Sequence, residues 1–325
     1  MPAIQTHGLT RLYGDLVAVD HLDLTVETGE VYAFLGPNGA GKTTTIRMLT
    51  GLIRPTEGTA LIEGLDVIKH PLEVKARVGV VPQRSNLYDE LSARDNLIFV
   101  AGLYGLPRAR RRARADVLLE QFGLAERANS PFDSLSGGMK RRLTIAAALV
   151  HEPPILFLDE PTTGLDVASA RALRNTIVDL HRNGVTLFLT THQIAEAERL
   201  ADRVAILVKG RLVAVDTPAA LRAACSAESA LEISVAPLTD ALVATLRDLP
   251  VVTHLSRESD MLHLGVTSLD DALSEIIAVV RRSGARITAF RTVTPTLEDA
   301  FVQLTHLDAE VMAGGGMSNR QGGRR

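Results

Sequence analysis

The chain has 325 residues, enough for two domains that each bury a core. Hydrophobic residues make up 46%, and 35 basic against 38 acidic side chains leave a formal net charge of −3, which argues against a disordered chain and against a basic nucleic-acid footprint. The single cysteine, Cys225, excludes an intrachain disulfide, gives no sign of a thiolate zinc site, and fits a reducing compartment.

Short, partly alternating apolar runs at residues 4–9, 22–26 and 31–35 predict three strands. A glycine-rich loop follows the third, and residues 43–49 open a helix. Residues 77–81 predict another strand, ending at Pro82-Gln83. From about residue 88 to 130 the apolar period turns helical. Leu97, Val100, Ala101 and Tyr104 share one face, as do Val117, Leu118 and Phe122. With the apolar run that follows Ser136, this gives an inserted helical subdomain over about 88–150. Residues 154–158 and 185–189 are continuous apolar runs that end in polar residues. That is the pattern of central parallel strands, and a helix over 167–181 lies between them. Residues 207–215 predict a hairpin around Gly210.

The composition changes near Thr217-Pro218, and residues 218–230 read as an Ala-rich linker. Beyond it the pattern is strand 231–235, helix 240–249, strands 251–255 and 261–266, helix 269–283 and strand 286–291. That is the βαββαβ, ferredoxin-like order of a small α+β domain over 231–308, closed by a helix over 295–306. The tail, 309–325, has almost nothing to bury and is expected to be disordered. A membrane-spanning helix needs about 18 consecutive apolar residues. The longest apolar runs, 143–150 and 155–158, are far shorter, and the N-terminus lacks a signal-peptide pattern. The expectation is a soluble chain whose membrane role, if any, needs a partner.

The segment Gly36-Pro37-Asn38-Gly39-Ala40-Gly41-Lys42-Thr43 fits G-x-x-x-x-G-K-[ST] at every fixed position, between a strand and a helix. Its glycines let backbone N–H groups converge on phosphate oxygens, and the helix adds its positive end. Lys42 supplies charge for the β- and γ-phosphates, the Thr43 hydroxyl can ligate Mg²⁺, and Thr44 completes the phosphate-contact set. The run at 155–158 delivers Asp159 and Glu160 at the edge where open α/β sheets bind ligands. Asp159 is placed to hold Mg²⁺, through water, and Glu160 to orient or deprotonate an attacking water. His192 ends Leu189-Thr190-Thr191 on the same edge, within reach of a γ-phosphate. The ligands expected are ATP and Mg²⁺.

In order along residues 4–217, these motifs resemble the nucleotide-binding subunit of an ATP-binding cassette (ABC) transporter, a P-loop NTPase with helical and antiparallel β subdomains. Leu135-Ser136-Gly137-Gly138-Met139 stands at the family's signature position. Gln83 matches the Q-loop glutamine, Gly164-Leu165-Asp166 the D-loop, and Tyr13 the aromatic that stacks on adenine. The resemblance implies catalytic and metal roles for Gln83 and nucleotide contact for Asp166. Ser136-Gly137-Gly138 opens an apolar helix, so it forms a second anion-binding helix end. One chain offers that end no second phosphate. The family answers with head-to-tail pairing. The resemblance therefore implies a homodimer with two ATPs, each between one copy's Lys42 loop and the other's Ser136-Gly137-Gly138, closed by nucleotide and opened by hydrolysis. It also implies an integral-membrane permease as partner, at the cytoplasmic face of the cell membrane, and no nucleic acid. One position departs from the family: Met139 replaces the usual glutamine and lacks an amide's hydrogen bonds.

Leu87-Tyr88-Asp89-Glu90-Leu91-Ser92, Asn96-Leu97, Leu103-Tyr104-Gly105-Leu106 and Thr296-Leu297-Glu298-Asp299-Ala300-Phe301 resemble the drug-exporter branch typified by daunorubicin/doxorubicin resistance ATPases. Sodium-, polysaccharide- and nodulation-factor-export ATPases look similar, so those substrates, or a lipid, stay open. A non-transport ABC ATPase is a further alternative, opposed by the single cassette and the near-neutral charge. A small-molecule kinase leaves Ser136-Gly137-Gly138 and Glu160 without a role. The basic run Arg108, Arg110, Arg111, Arg112 and Arg114 reads as a solvated helix face.

Overall fold

The computed structural model describes residues 1–224, 229–293 and 296–307. Strands β1 (Ile4–Tyr13) and β2 (Leu16–Val26) form a hairpin around Gly14-Asp15. Both are longer than the sequence pattern predicts, because their paired outer ends, Tyr13 to Val17, are solvent-facing and carry no apolar alternation. β3 (Val31–Leu35) is buried along its whole length, and α1 (Lys42–Leu49) follows the phosphate-loop sequence. Next come β4 (Glu57–Ile62), β5 (Leu65–Asp66) and α2 (Pro71–Arg77), which the sequence reading leaves out. In β4 only Ala60 and Ile62 are buried, and in α2 only Val74, too few to set a period. The order β2-β1-β4-β5 makes an antiparallel sheet.

The chain continues through β6 (Val78–Val81), α3 (Ala93–Leu103), α4 (Arg108–Gln121), α5 (Gly137–Ala148), β7 (Ile155–Asp159), α6 (Val167–Arg182), β8 (Thr186–Thr191), α7 (Ile194–Leu200), β9 (Arg203–Val208) and β10 (Arg211–Asp216). A second sheet has the order β10-β9-β3-β8-β7-β6. Five of its strands are parallel, and β10 is the antiparallel edge. Every residue of β3, β7 and β8 is buried, as strands covered on both faces must be. Tyr32, Phe34 and Phe157 all pack their rings on Phe188, with centroids 5.4–5.7 Å apart. Leu35 pairs with Thr191 and Asp159 with Thr190, so the C-terminal ends of the three strands share one edge.

α3, α4 and α5 form the helical block. Ser92 and Ser136 cap α3 and α5, each accepting from the backbone N–H three residues on. The basic run is only partly solvated. Arg111 Nε donates to Leu106 O at 2.7 Å. Arg114 donates to Val150 O and Leu149 O and pairs with Glu152. Arg108, Arg110 and Arg112 are exposed.

The described residues divide into two compact units, Met1–Pro218 with 304–307, and Ala219–Gln303. The expected linker begins as helix α8 (Pro218–Ala224), because Pro at the first helical position followed by alanines favours a helix over a loop. Then follow β11 (Ser229–Ala236), α9 (Asp240–Arg247), β12 (Val252–Glu258), β13 (Met261–Val266), α10 (Leu269–Arg282), β14 (Arg286–Val293) and α11 (Leu297–Thr305). The sheet is antiparallel with the order β12-β13-β11-β14, and Leu231, Ile233, Leu246, Leu262, Leu264 and Ile276 fill its core. Thr296 and Asp299 form a reciprocal capping box at the start of α11. The tail expected at 309–325 lies outside the described residues. Among those residues, no helix is long and apolar enough to cross a membrane.

Candidate functional site

The turn after β3 is held tightly. A Cβ on Gly36 would sit 2.2 Å from Leu207 O, and Gly41 has φ +104° with Ala18 O where its Cβ would point. Only glycine fits either position, so the loop between them curls back over α1. Lys42 is 6% exposed, and its ammonium donates to Gly36 O at 2.7 Å and to Pro37 O at 3.2 Å. Its charge also lies 3.2 Å from Glu160 Oε1. That approach is a charge contact without hydrogen-bond alignment, since Glu160 Oε1 has no hydrogen-bond partner. Burial pushes the Lys42 ammonium below its ordinary range, while Glu160 and Asp159 hold it up.

Thr43 Oγ1 donates to the Asp159 carboxylate at 2.9 and 3.1 Å, and Thr190 Oγ1 donates to the same group at 2.6 Å. His192 Nδ1 lies 2.7 Å from Glu160 Oε2. A carboxylate only accepts, so Nδ1 carries the proton and Nε2 is the free position. Thr163 Oγ1 donates to the same Glu160 oxygen at 3.1 Å. Glu160 itself has φ +48°, a conformation that strains a residue with a Cβ. Its backbone N–H is held by Thr190.

A cleft of about 640 Å³ opens onto these groups, lined by Tyr13, Asn38, Gly39, Ala40, Gly41, Lys42, Thr43, Thr44, Gln83 and Glu160. The fold thus brings together the phosphate loop, the acidic pair, His192, Gln83 and Tyr13 from five separate segments. Arg11 stacks on Tyr13 at 4.6 Å from the ring centroid. Ser136, Gly137, Gly138 and Asp166 do not line the cleft. Ser136 and Gly137 are exposed, and Gly138 packs against Ser169. Asp166 caps α6, accepting from Ser169 N at 2.8 Å and Ser169 Oγ at 2.7 Å, and those bonds hold its carboxyl below the usual range.

Sequence reasoning missed Val17, Ala18 and Lys209, which also line the cleft. Lys209-Gly210 is the turn of the β9–β10 hairpin, where Gly210 N donates to Ala40 O at 2.9 Å. The hairpin was legible in the sequence, but its return to the phosphate loop was not. Thr190 and Arg141 were also missed, since neither residue type carries a motif signal there.

Residues 19–163 match the ABC transporter family. The chain is 39% identical to the daunorubicin resistance ATP-binding protein DrrA3 of Streptomyces coeruleorubidus, over 95% of this chain and 98% of that protein. The chain belongs to the ATP-binding subunits of ABC transporters. As an ABC ATPase it binds and hydrolyses ATP, and the cleft at Lys42 is where that family's phosphate-loop sequence lies. This ABC ATPase is also 32% identical to the linearmycin resistance ATP-binding protein LnrL of Bacillus subtilis, over 93% of this chain and 98% of that protein. Among solved structures, an ATP-binding subunit of an ABC transporter shares 33% identity with a TM-score of 0.62, covering 68% of this chain and 92% of that one. A dimeric ATP-binding cassette in a post-hydrolysis state, bound to ADP and Pi, shares 27% identity with a TM-score of 0.60, covering 66% of this chain and 98% of that one.

Proposed function

We propose that this ABC ATPase energises drug or antibiotic export, working as an ATP-sandwiched homodimer with a separate permease at the cytoplasmic face of the membrane. The observation that carries the dimer is the exposed start of α5. Ser136 and Gly137 present a helix N-terminus to solvent, outside their own chain's cleft. A phosphate-binding helix end with no phosphate in reach gains one from a second copy. In each composite site, Lys42 and the loop N–H groups bind phosphates and Tyr13 stacks on adenine. Glu160, held by His192, takes the proton of the attacking water. Asp166, as the cap of α6, would approach the nucleotide across the dimer rather than within its own chain.

The residues also fit Mg²⁺. Among the described residues no cluster of three or more His, Cys, Asp or Glu side chains forms a metal cage. The Thr43 hydroxyl, the Asp159 carboxylate and the Gln83 amide instead offer hard oxygens beside the phosphate loop. Mg²⁺ favours that kind of partial donor set, completed by phosphate and water. It would neutralise charge on the phosphates during hydrolysis.

The named relatives that span nearly all of this chain confer daunorubicin and linearmycin resistance, which supports drugs or antibiotics as cargo. Tyr88, Phe99, Leu103 and Tyr104 are exposed and line one groove near α3, together with Thr144 and Ala147 of α5. Exposed aromatic and aliphatic side chains gathered in one groove support contact with a membrane-embedded partner. The test is size-exclusion chromatography of Glu160→Gln with ATP and Mg²⁺, followed by ATPase assays with the co-purified permease and candidate drugs. A protein that stays monomeric with ATP refutes the sandwich, and an ATPase indifferent to every drug refutes the cargo class.

A further inference from the structure

Arg141 lies on α5, five residues after Ser136, and is 8% exposed. Its guanidinium has no carboxylate within ion-pair distance among the described residues. It is satisfied by backbone carbonyls on two other segments. Nε donates to Pro161 O at 2.8 Å, Nη2 to Asp159 O at 2.9 Å, and Nη1 to Pro82 O and, at 3.5 Å, to Gln83 O. Asp159 and Pro161 flank Glu160, the residue with φ +48°. Arg141 therefore clamps both neighbours of the strained carboxylate and, with the same planar fork, the carbonyls of the Gln83 loop.

The choice of arginine is informative. A buried cation that only filled space could be replaced by an apolar side chain at little loss. Spanning four carbonyls in two directions needs more donors than the three lysine carries on a single atom, and arginine holds five in one plane. Burial draws the guanidinium down to about 10, while Asp159 and Glu196 hold it up, so it stays charged at neutral pH.

We propose that Arg141 is a positioning residue that ties the helix opened by Ser136 to Gln83 and Glu160, so that one copy's grip on its partner's ATP sets the hydrolytic groups at its own. The coupling half of this inference rests on the sandwich dimer, because only there does the start of α5 meet a nucleotide. The positioning half does not, because all four carbonyls belong to the same chain. Coupling of this kind requires a physical link that both sites bias, and Arg141 spans the short path between them.

The test uses the full-length chain with Arg141→Lys and Arg141→Met. Measured are binding of a fluorescent trinitrophenyl-ATP, the dependence of ATPase rate on ATP concentration, and thermal unfolding. Arg141→Met is expected to bind nucleotide within about threefold of the parent while kcat falls about 30- to 100-fold, and Arg141→Lys is expected to recover roughly tenfold of that loss. The parent is expected to show a Hill coefficient above 1 that falls to about 1 in both variants. If Arg141→Met does not fold, Arg141→Lys alone decides, with kcat down about tenfold at unchanged binding. The positioning role is overturned if kcat stays within about twofold of the parent, or if binding and kcat fall together and lysine rescues neither. A parent Hill coefficient of 1 overturns the coupling alone. Failure of the dimer itself shows separately, as a monomeric Glu160→Gln protein in ATP.

Discussion

Glu160→Gln separates two jobs of one side chain. Glu160 Oε1 sits 3.2 Å from Lys42 Nζ, with both side chains 6% exposed. At an effective dielectric of about 20, that separation is worth about 5 kcal/mol of Coulomb attraction, and desolvation of the two groups cancels most of it, leaving ~1–2 kcal/mol. Phosphate must draw Lys42 away from this contact. Glutamine keeps the shape and removes the charge, so Lys42 is released in advance. ADP affinity is expected to rise roughly 5- to 30-fold in Glu160→Gln. ADP is the proper probe, because it lacks the γ-phosphate and reads Lys42 without the dimer trap that ATP sets. Turnover is expected to fall by about 10²- to 10⁴-fold, the range for loss of a general base. Isothermal titration with ADP and a steady-state phosphate-release assay read the two effects. Unchanged or weaker ADP binding refutes the Lys42–Glu160 contact, and normal turnover refutes the assigned base.

Lys42→Ala removes the cation and its bonds to Gly36 O and Pro37 O; ATP hydrolysis is expected to fall by about 10³-fold or more in a phosphate-release assay. Tyr13→Ala should weaken nucleotide binding about tenfold, while Tyr13→Phe stays near the parent, in a fluorescent-nucleotide titration. Equal loss in both would assign the effect to the hydroxyl. Glu196 is 4% exposed. Burial raises its carboxyl above the ordinary 4.5, with Glu160 adding and the hydroxyls of Thr191 and Thr162 opposing. The folded state then holds a proton that the unfolded chain has released, so this group lowers stability as pH rises above about 4.5. Glu196→Gln is expected to melt higher than the parent at pH 8, with the gap closing as pH falls toward 4.5. A gap independent of pH would refute it.

The central sheet was legible because residues 155–158 are apolar without interruption and 185–189 are broken only by Thr186, a pattern that suits a strand covered on both faces. The phosphate loop was legible because each glycine answers a steric demand, seen at Gly36 and Gly41. β4 was not, since half its length faces solvent and Glu57-Gly58 reads as a turn. Arg141 and Glu196 were hidden by composition. Both sit in stretches rich in charge, Lys140-Arg141-Arg142 and Glu196-Ala197-Glu198-Arg199, where an exposed face is the ordinary outcome. Which member of such a stretch turns inward depends on the helix's rotation against its neighbours, and that is tertiary information. The exposure of Ser136 and Gly137 was likewise a fact about packing, although the sequence did mark the helix end as lacking a phosphate.

The ring cluster beneath the site has a mechanical consequence. Tyr32, Phe34 and Phe157 come from β3 and β7, and all three lean on Phe188 of β8 with no solvent access. An interior packed to crystal density is stiff, so Lys42, Asp159 and His192 stand on an anvil that does not yield when phosphate arrives. Whatever stroke hydrolysis delivers must then come from the parts that hang off this anvil by loops. The exposed Gln83 segment, whose Pro82 and Gln83 carbonyls Arg141 of α5 holds, links this anvil to the helical block.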